Sequence, residues 1–327
     1  MGFLVPIALF GWPFVLLAMF ALLPPRRAVL VGYIGAWLFL PMAGYDIPGF
    51  PDYTKVLATT VGVALGTAVF DSQRFYRFRP HWLDLPMAVF CLWPMASSVA
   101  MGHGVYDGLS AIVYQVIMWG LPYFFGRVYF TDLKAFRELA VAIVVGGLIY
   151  VPLCLIEIRL SPQLHTWVYG YHQHSFAQTM RFGGYRPTVF MQHGLAVAMW
   201  MINATLLAIW LWRTGAVRRL WGMPMGWVVT ALLVTSILVK SFGALALMLV
   251  GLGVLFAAKW LRRPWPLLSL IAVPLVWMIG RTFGFIDGQI VHEMVQVISE
   301  ERAGSFRVRL EQEDVITEQA MRHPLIG

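Results

Sequence analysis

Long apolar stretches, separated by short polar connections, make up most of the chain. A helix needs roughly 20 apolar residues to cross about 30 Å of hydrocarbon, and only helices satisfy their own backbone groups within one such segment. The pattern therefore predicts an all-α integral membrane protein, a polytopic helical bundle of about ten transmembrane helices. The ten apolar segments cover residues 3–23, 28–43, 55–70, 83–100, 109–130, 136–156, 190–212, 225–240, 243–259 and 265–280.

The lysines and arginines of the connecting loops support this arrangement independently. Cytoplasmic loops of membrane proteins carry an excess of these residues, and alternate loops of this chain hold fourteen of them against five. The bias predicts an external amino terminus and an external position for everything after Arg281. Most acidic residues, and every histidine except His81, then fall on the external side. The five basic residues of the predicted external loops are Lys55, Arg159, Arg181, Arg186 and Lys240.

Two predicted external segments are long enough to hold a site. Residues 159–190 are rich in aromatic and polar groups, and residues 281–327 carry eight of the sixteen acidic residues. We therefore expect residues 1–280 to form the transmembrane bundle and residues 281–327 to begin a large external loop.

The second of these segments has two helical patterns. After residues 303–305, Arg307 with Glu311 and Arg309 with Glu313 stand at the i,i+4 spacing of ion pairs on a helix. Before them, apolar residues at helical spacing predict an amphipathic helix on the surface of the bundle or membrane. These apolar residues are Ile290, Val291, Met294, Val297 and Ile298.

Composition agrees with a membrane protein and excludes other classes. The chain is 59% hydrophobic and only 12% charged, with a mean hydropathy of +0.72. Its net charge of +8 is scattered through short loops rather than gathered on one face, so we expect no nucleic-acid partner. Cys91 and Cys154 lie in apolar segments, and we expect both to be buried thiols. Arg26 and Arg27 follow the first apolar run instead of preceding it, so that run should remain a span.

Motifs for nucleotide binding, serine nucleophiles and zinc proteases are absent from the sequence. His172 and His174, with His165 nearby, offer a weak metal signal, because no acid or cysteine stands at ligand spacing. These histidines can equally belong to an interfacial aromatic belt or contact a lipid-linked substrate. We predict no metal and no cofactor.

Charged residues at the edges of spans are more informative. In "GYRPTVFMQHG", Arg186 precedes an apolar run on the side where arginine is disfavoured, and its guanidinium could bind phosphate oxygens. His193 could bind a phosphate or a sugar, or only a neighbouring helix. Lys240 stands in the tight external turn "LVKSFGA" and could be a second phosphate ligand. Snorkelling and packing are the alternative roles of all three.

Three stretches are similar to motifs of one family, the O-antigen ligase and Wzy-type polymerase superfamily of bacterial envelope glycosyltransferases. "GYRPTVFMQHGLAVAMW" resembles that family's R-P-x-G-x-F followed by a small-residue helix. "SFGALALML" resembles its S-R-G-A segment, with Phe242 in place of the arginine. "RLEQEDVITEQAMRHPLIG" resembles its R-x-x-x-W-x-x-A-L segment ending in P-L-x-G-x-G, with Arg309 leading and Glu313 in place of the tryptophan.

The resemblance implies a glycosyltransferase of the bacterial inner membrane with its site on the periplasmic face. It would move glycan from an undecaprenyl-pyrophosphate carrier to a glycan or lipid acceptor hydroxyl. Arg186 and Arg309 would then be catalytic, because placed arginines stabilise the charge that the leaving pyrophosphate gains. Lys240 could replace the missing arginine. The candidates for substrate binding are Lys240, His193, Arg307, His172 and His174.

The resemblance implies that the general base is a histidine that lies beyond the P-L-x-G-x-G stretch. We therefore expect the chain to be truncated before that base and before the last two spans. Two other classes stay open, a polysaccharide or lipid transporter and a non-catalytic subunit of an export complex. Ligase and polymerase share the donor head group, so the sequence does not divide them.

Overall fold

A computed structural model describes residues 2–181, 183–288, 293, 296 and 300–322 of the chain. This described part of the chain is all-α, with three short two-stranded hairpins. Two compact units are distinguished, one of residues 1–95 and 103–249 and the other of residues 96–102 and 250–327.

The helices follow the apolar segments closely. In chain order they are α1 (Leu4–Leu22), α2 (Pro25–Phe39), α3 (Lys55–Phe70), α4 (Gln73–Arg77), α5 (Leu85–Ala100), α6 (Val105–Gln115), α7 (Leu121–Tyr129), α8 (Leu133–Leu160), α9 (Leu164–Tyr169), α10 (Gly194–Arg213), α11 (Met225–Leu238), α12 (Phe242–Leu261), α13 (Trp265–Thr282) and α14 (Glu300–Arg322).

The three hairpins connect helices. Their strands are β1 (Gly44–Ile47) with β2 (Phe50–Thr54), β3 (Met180–Arg181) with β4 (Gly184–Tyr185), and β5 (Arg219–Leu220) with β6 (Met223–Pro224), each pair antiparallel. A π-helical turn, Val116–Gly120, joins α6 to α7 inside one predicted segment.

Each of the ten predicted segments coincides with a helix, but the count of about ten spans is not confirmed. Seven helical stretches of the described residues are long and apolar enough to cross a membrane. The other three segments correspond to α2, α3 and α11, of 15, 16 and 14 residues. At 1.5 Å per residue they measure about 21–24 Å, shorter than the hydrocarbon core. The seven stretches are Leu4–Leu22, Trp82–Ala100, Val105–Tyr129, Leu133–Leu160, Gly194–Arg213, Phe242–Leu261 and Trp265–Thr282.

Small residues allow the helices of the first unit to approach closely. Gly62 and Gly66 are one turn apart on α3, and side chains there would collide with Leu16 and Phe20 of α1. Packing of this kind is typical of helices in membranes, where water cannot drive association. Gly147 of α8 plays the same part against α10 and α11.

Apolar side chains cover much of the outer surface. Phe14 is 72% exposed, Trp227 71% and Ile271 65%. Soluble monomers rarely expose apolar surface on this scale, whereas lipid covers it at no cost. Together with the seven apolar helices, this surface indicates a multi-pass membrane protein.

In the second unit, α14 packs against α13 through polar groups. The Trp277 indole donates to Glu313 at 2.9 Å, and Arg281 lies 3.7 Å from Glu313 and bonds to Asp314. The predicted pair of Arg309 with Glu313 is therefore wrong, because Glu313 turns towards α13 instead.

The other pair on this helix is confirmed, since Arg307 Nε donates to Glu311 at 2.7 Å. Helix α14 begins at Glu300 and so includes residues 303–305, where the sequence suggested a boundary. Ala303 is only 3% exposed and packs as part of the helix. The predicted amphipathic residues, 290, 291, 294, 297 and 298, lie outside the described residues.

Candidate functional site

A buried carboxylate organises the loops at the end of α8. Glu157 is 1% exposed, and its two oxygens accept three backbone hydrogen bonds. Oε1 accepts from Leu164 at 3.0 Å, where α9 begins. Oε2 accepts from Thr188 at 2.8 Å and from Val189 at 2.7 Å, just before α10. One side chain therefore ties together both ends of the loop of residues 161–193.

The hydrogen bonds from Thr188 and Val189 to Glu157 hold the backbone in an unfavourable conformation. Val189 has φ of +49°, which a β-branched residue rarely adopts. Strained backbone of this kind persists only where its surroundings fix it, and it is concentrated at functional sites. Here the fixing groups are Glu157 and the Gln173 amide, which donates to the carbonyls of Val189 at 3.1 Å and Met191 at 2.9 Å.

Arg186 follows directly on the β3–β4 hairpin. Its backbone N–H donates to the Thr179 carbonyl at 2.7 Å and so extends the hairpin by one rung. Its side chain passes over the start of α10, where a Cβ at Gly194 would lie only 2.5 Å from its Cδ. Glycine at 194 thus makes room for the arginine stem. The arginine identified in the sequence lies against the amino-terminal end of a helix.

The charge of Arg186 is poorly compensated within the described part of the chain. Its Nε atom is buried without a hydrogen-bond partner, and no ion pair joins it to a described acid. Burial, and then the neighbouring positive charge of Arg181, lower the pKa of the Arg186 guanidinium, which stays charged at neutral pH. The positive end of the α10 dipole adds to the same field, and the first turn of α10 contains no acid.

His193 is the N-cap of α10. Its Nδ1 accepts the N–H of Ala196 at 3.1 Å, so in the neutral ring the proton is on Nε2. The imidazole is then a donor towards anything beyond the helix end, and a poor general base. The His174 ring lies edge-on to it with centroids 6.0 Å apart.

Lys240 reaches the same hairpin from the turn between α11 and α12. Its Nζ lies 3.5 Å from the Arg181 carbonyl and so close to Gly184 that a Cβ there would collide with it. Lys240 itself has φ of +56°, a second strained residue at this place. The structure therefore places Arg186 and Lys240 at the same β3–β4 hairpin, at one end of the first unit. We call this hairpin, with Arg186 and Lys240, the cationic hairpin.

The loop histidines differ in burial and in contacts. His165 is 1% exposed, its Nδ1 lies 2.8 Å from the Tyr171 carbonyl, and burial lowers its pKa, so it belongs to the packing. His172 contacts the His174 carbonyl through Nδ1 and stacks edge-on against Phe176, while its buried Nε2 has no described partner. No group of three or more His, Cys, Asp or Glu side chains among the described residues could hold a metal ion.

The remaining candidates, Arg307 and Arg309, lie on α14 in the second unit. Arg307 is paired with Glu311 on its own helix.

Sequence reasoning missed the two residues that support the site. Neither Glu157 nor Gln173 is among the candidates selected from the sequence. An acid that follows a long apolar run, three residues before the last residue of α8, was the available signal for Glu157. Nothing in the local pattern signals Gln173.

Comparison of the chain with models of protein families, with curated proteins and with solved structures finds no match in any of the three. Fold and site therefore define an all-α, multi-pass membrane protein with a cationic hairpin at one end of its first unit.

Proposed function

We propose that this protein is a glycosyltransferase of the O-antigen ligase and polymerase type, which binds the pyrophosphate of an undecaprenyl-pyrophosphate-linked glycan at the cationic hairpin. The proposal places it in a bacterial inner membrane with this hairpin on the periplasmic side. The observation that carries it is Arg186, a half-buried cation without a described acidic partner at the positive end of α10.

An anion bound there would satisfy several groups at once. It would lie on helix N–H groups, the usual place for phosphate at a helix N-terminus, and would accept from Arg186 and from His193 Nε2. Lys240 would approach from the other side of the hairpin, beside Gly184. Arginine suits this task because its planar fork matches two phosphate oxygens.

In the proposed reaction the acceptor hydroxyl attacks the anomeric carbon of the donor sugar. The bond from that carbon to the phosphate oxygen breaks, and the pyrophosphate keeps the electron pair. The hydroxyl proton passes to a general base, for which the resemblance implies a histidine. Arg186 and Lys240 stabilise the charge that develops on the leaving oxygen. Electrostatic stabilisation of this kind is usually the largest single contribution to catalysis.

The test is transfer of labelled glycan from the carrier, using protein from the complete reading frame reconstituted in liposomes. Losing one fixed donor to a developing oxyanion costs about 10²–10³ in rate, so Arg186→Gln should reduce transfer by at least about 100-fold. Arg159→Gln is the matched control, because Arg159 is an exposed arginine at the end of α8. It should retain nearly full activity.

Unchanged transfer by a folded Arg186→Gln protein would remove this residue from the mechanism. Movement of the lipid-linked glycan across the liposome membrane, without transfer, would indicate the transporter alternative instead.

A further inference from the structure

A cavity of about 620 Å³ lies between α2 and α8, away from the cationic hairpin. The two helices run side by side in the same direction. Arg26 at the start of α2 pairs with Asp132 at 3.3 Å, just before α8. Near the end of α2, the Leu38 side chain lies so close to Gly146 that a Cβ there would be only 2.9 Å from it. Most of the lining is apolar, including Leu30, Ile34, Val141, Ala142 and Val145.

The charged lining residues gather at one end of this cavity. They are Arg27, near the start of α2, and Lys134, Arg137 and Glu138, in the first two turns of α8. Arg26 lies beside both neighbouring acids, 3.3 Å from Asp132 and 3.9 Å from Glu138. The cavity mouth therefore has two acids and four cations, a surplus of two positive charges. The cations are Arg26, Arg27, Lys134 and Arg137.

The cavity has the length of one lipid leaflet. From Arg27 to Phe39 the α2 wall rises by 12 residue steps, about 18 Å at 1.5 Å per residue. Half of the hydrocarbon core of a bilayer is about 15 Å. An acyl chain would therefore extend along the apolar lining with its headgroup at the basic mouth.

We propose that the cavity between α2 and α8 binds one anionic phospholipid, with an acyl chain against the apolar lining and the phosphate beside Arg27, Lys134 and Arg137. Arg137 donates to the Ala216 carbonyl, a neutral partner, and so keeps its charge for the phosphate. Basic residues at a membrane surface attract anionic headgroups in this way.

This site is distinct from the proposed glycan site. The basic mouth lies at the start of α8, and Glu157 lies near its end, about 20 residues or 30 Å further along the helix. The lipid would thus lie at the opposite membrane face, and its binding does not depend on the glycosyltransferase proposal.

The experiment is native mass spectrometry of the full protein, titrated with phosphatidylglycerol or with phosphatidylcholine of the same chain length. We expect one phosphatidylglycerol to bind more tightly than the phosphatidylcholine. Each basic side chain near a membrane surface strengthens such binding about fivefold. Arg27→Gln with Lys134→Gln should therefore weaken phosphatidylglycerol binding about 25-fold and leave phosphatidylcholine binding unchanged.

Two controls separate this site from general attraction to lipid. Lys259→Gln with Arg263→Gln removes the same charge from exposed residues that do not line the cavity, and should change affinity less than about twofold. Val145→Trp fills the apolar part and should weaken both lipids at least about tenfold, because the chain loses its contact area. Leu155→Trp, on the exposed face of the same helix, should not.

Equal binding of the two lipids by the wild-type protein would overturn the proposal. So would equal losses in the cavity variants and their controls, since binding would then be unspecific. Displacement of the lipid by millimolar inorganic phosphate would also contradict it, because the acyl chain would contribute nothing.

Discussion

At the scale of single residues, Glu157 is the support on which the other site residues depend. Its carboxylate accepts the N–H groups of Leu164, Thr188 and Val189 while almost fully buried. A buried N–H that loses its acceptor costs about 1–3 kcal/mol. The same bonds hold Val189 at a positive φ, two residues after the Arg186–Pro187 pair.

We predict that Glu157→Ala lowers the free energy of unfolding by at least about 2 kcal/mol, because the buried N–H groups of Thr188 and Val189 and the partly buried N–H of Leu164 lose their acceptor. Thermal unfolding in detergent measures the change, and hydrogen exchange of residues 161–193 should increase. Glu138→Gln is the control, since its 3.9 Å ion pair with Arg26 is partly exposed and contributes about 1 kcal/mol or less. Equal protection of the loop in both variants would contradict the role of Glu157.

The sequence allowed single charges to be selected, but not their partners. Arg186, His193 and Lys240 were visible because ionisable groups at the edge of a span are costly. Their mutual placement depends on a hairpin and on a carboxylate about 30 residues away, which no local spacing encodes. For Arg309, local spacing was misleading. Its i,i+4 spacing predicted an ion pair with Glu313, but Glu313 contacts Trp277 and Arg281 of α13 instead.

At the scale of elements, the start of α10 is where structure and proposed function meet. The helix begins at Gly194, capped by His193, and the Arg186 stem lies against that glycine. A methyl group at 194 would collide with the Arg186 stem and lie 3.0 Å from the Pro187 carbonyl oxygen, so the arginine must move. Alanine suits a helix better than glycine by up to about 1 kcal/mol, which offsets the close approach to Pro187.

We therefore predict that Gly194→Ala keeps the melting temperature within a few degrees but weakens donor binding at least about tenfold, because Arg186 is displaced. Binding and thermal unfolding are measured on the same sample. Gly126→Ala on α7 is the control, because a Cβ there meets nothing within 4 Å. If Gly194→Ala binds donor as the wild type does, the position of Arg186 against α10 is irrelevant to binding.

The helices themselves were predictable, because hydropathy is a local property and each apolar segment became a helix. The number of crossings was not, since α2, α3 and α11 are too short to span by length alone. The three hairpins and the π-helical turn at Val116–Gly120 were also missed. A strand of two residues is too short to show an alternation of apolar and polar positions. A π-helical turn has the same hydropathy as the α-helix around it.

At the scale of the whole molecule, the account depends on which membrane face each end of a span occupies. Basic loops predict that the β3–β4 hairpin is external and that the far end of α10 is cytoplasmic.

Orientation is tested by single cysteines and a maleimide that cannot cross membranes. We expect labelling of intact cells at Gln178→Cys, which is exposed beside the hairpin, and at Thr214→Cys only after the cells are opened. The wild type is the control, because Cys91 and Cys154 are buried and should stay unlabelled. Labelling of Thr214→Cys in intact cells, with Gln178→Cys silent, would reverse the proposed orientation.

The central claim is that Arg186 binds a pyrophosphate. The measurement is the affinity of the protein in zwitterionic nanodiscs for undecaprenyl pyrophosphate and for undecaprenol. Hydrogen bonds to charged groups contribute about 1.5–3 kcal/mol, so the wild type and Arg159→Gln should prefer the pyrophosphate at least about tenfold, and Arg186→Gln should lose that preference. If the folded Arg186→Gln protein keeps the preference, or the wild type never shows it, the account is contradicted.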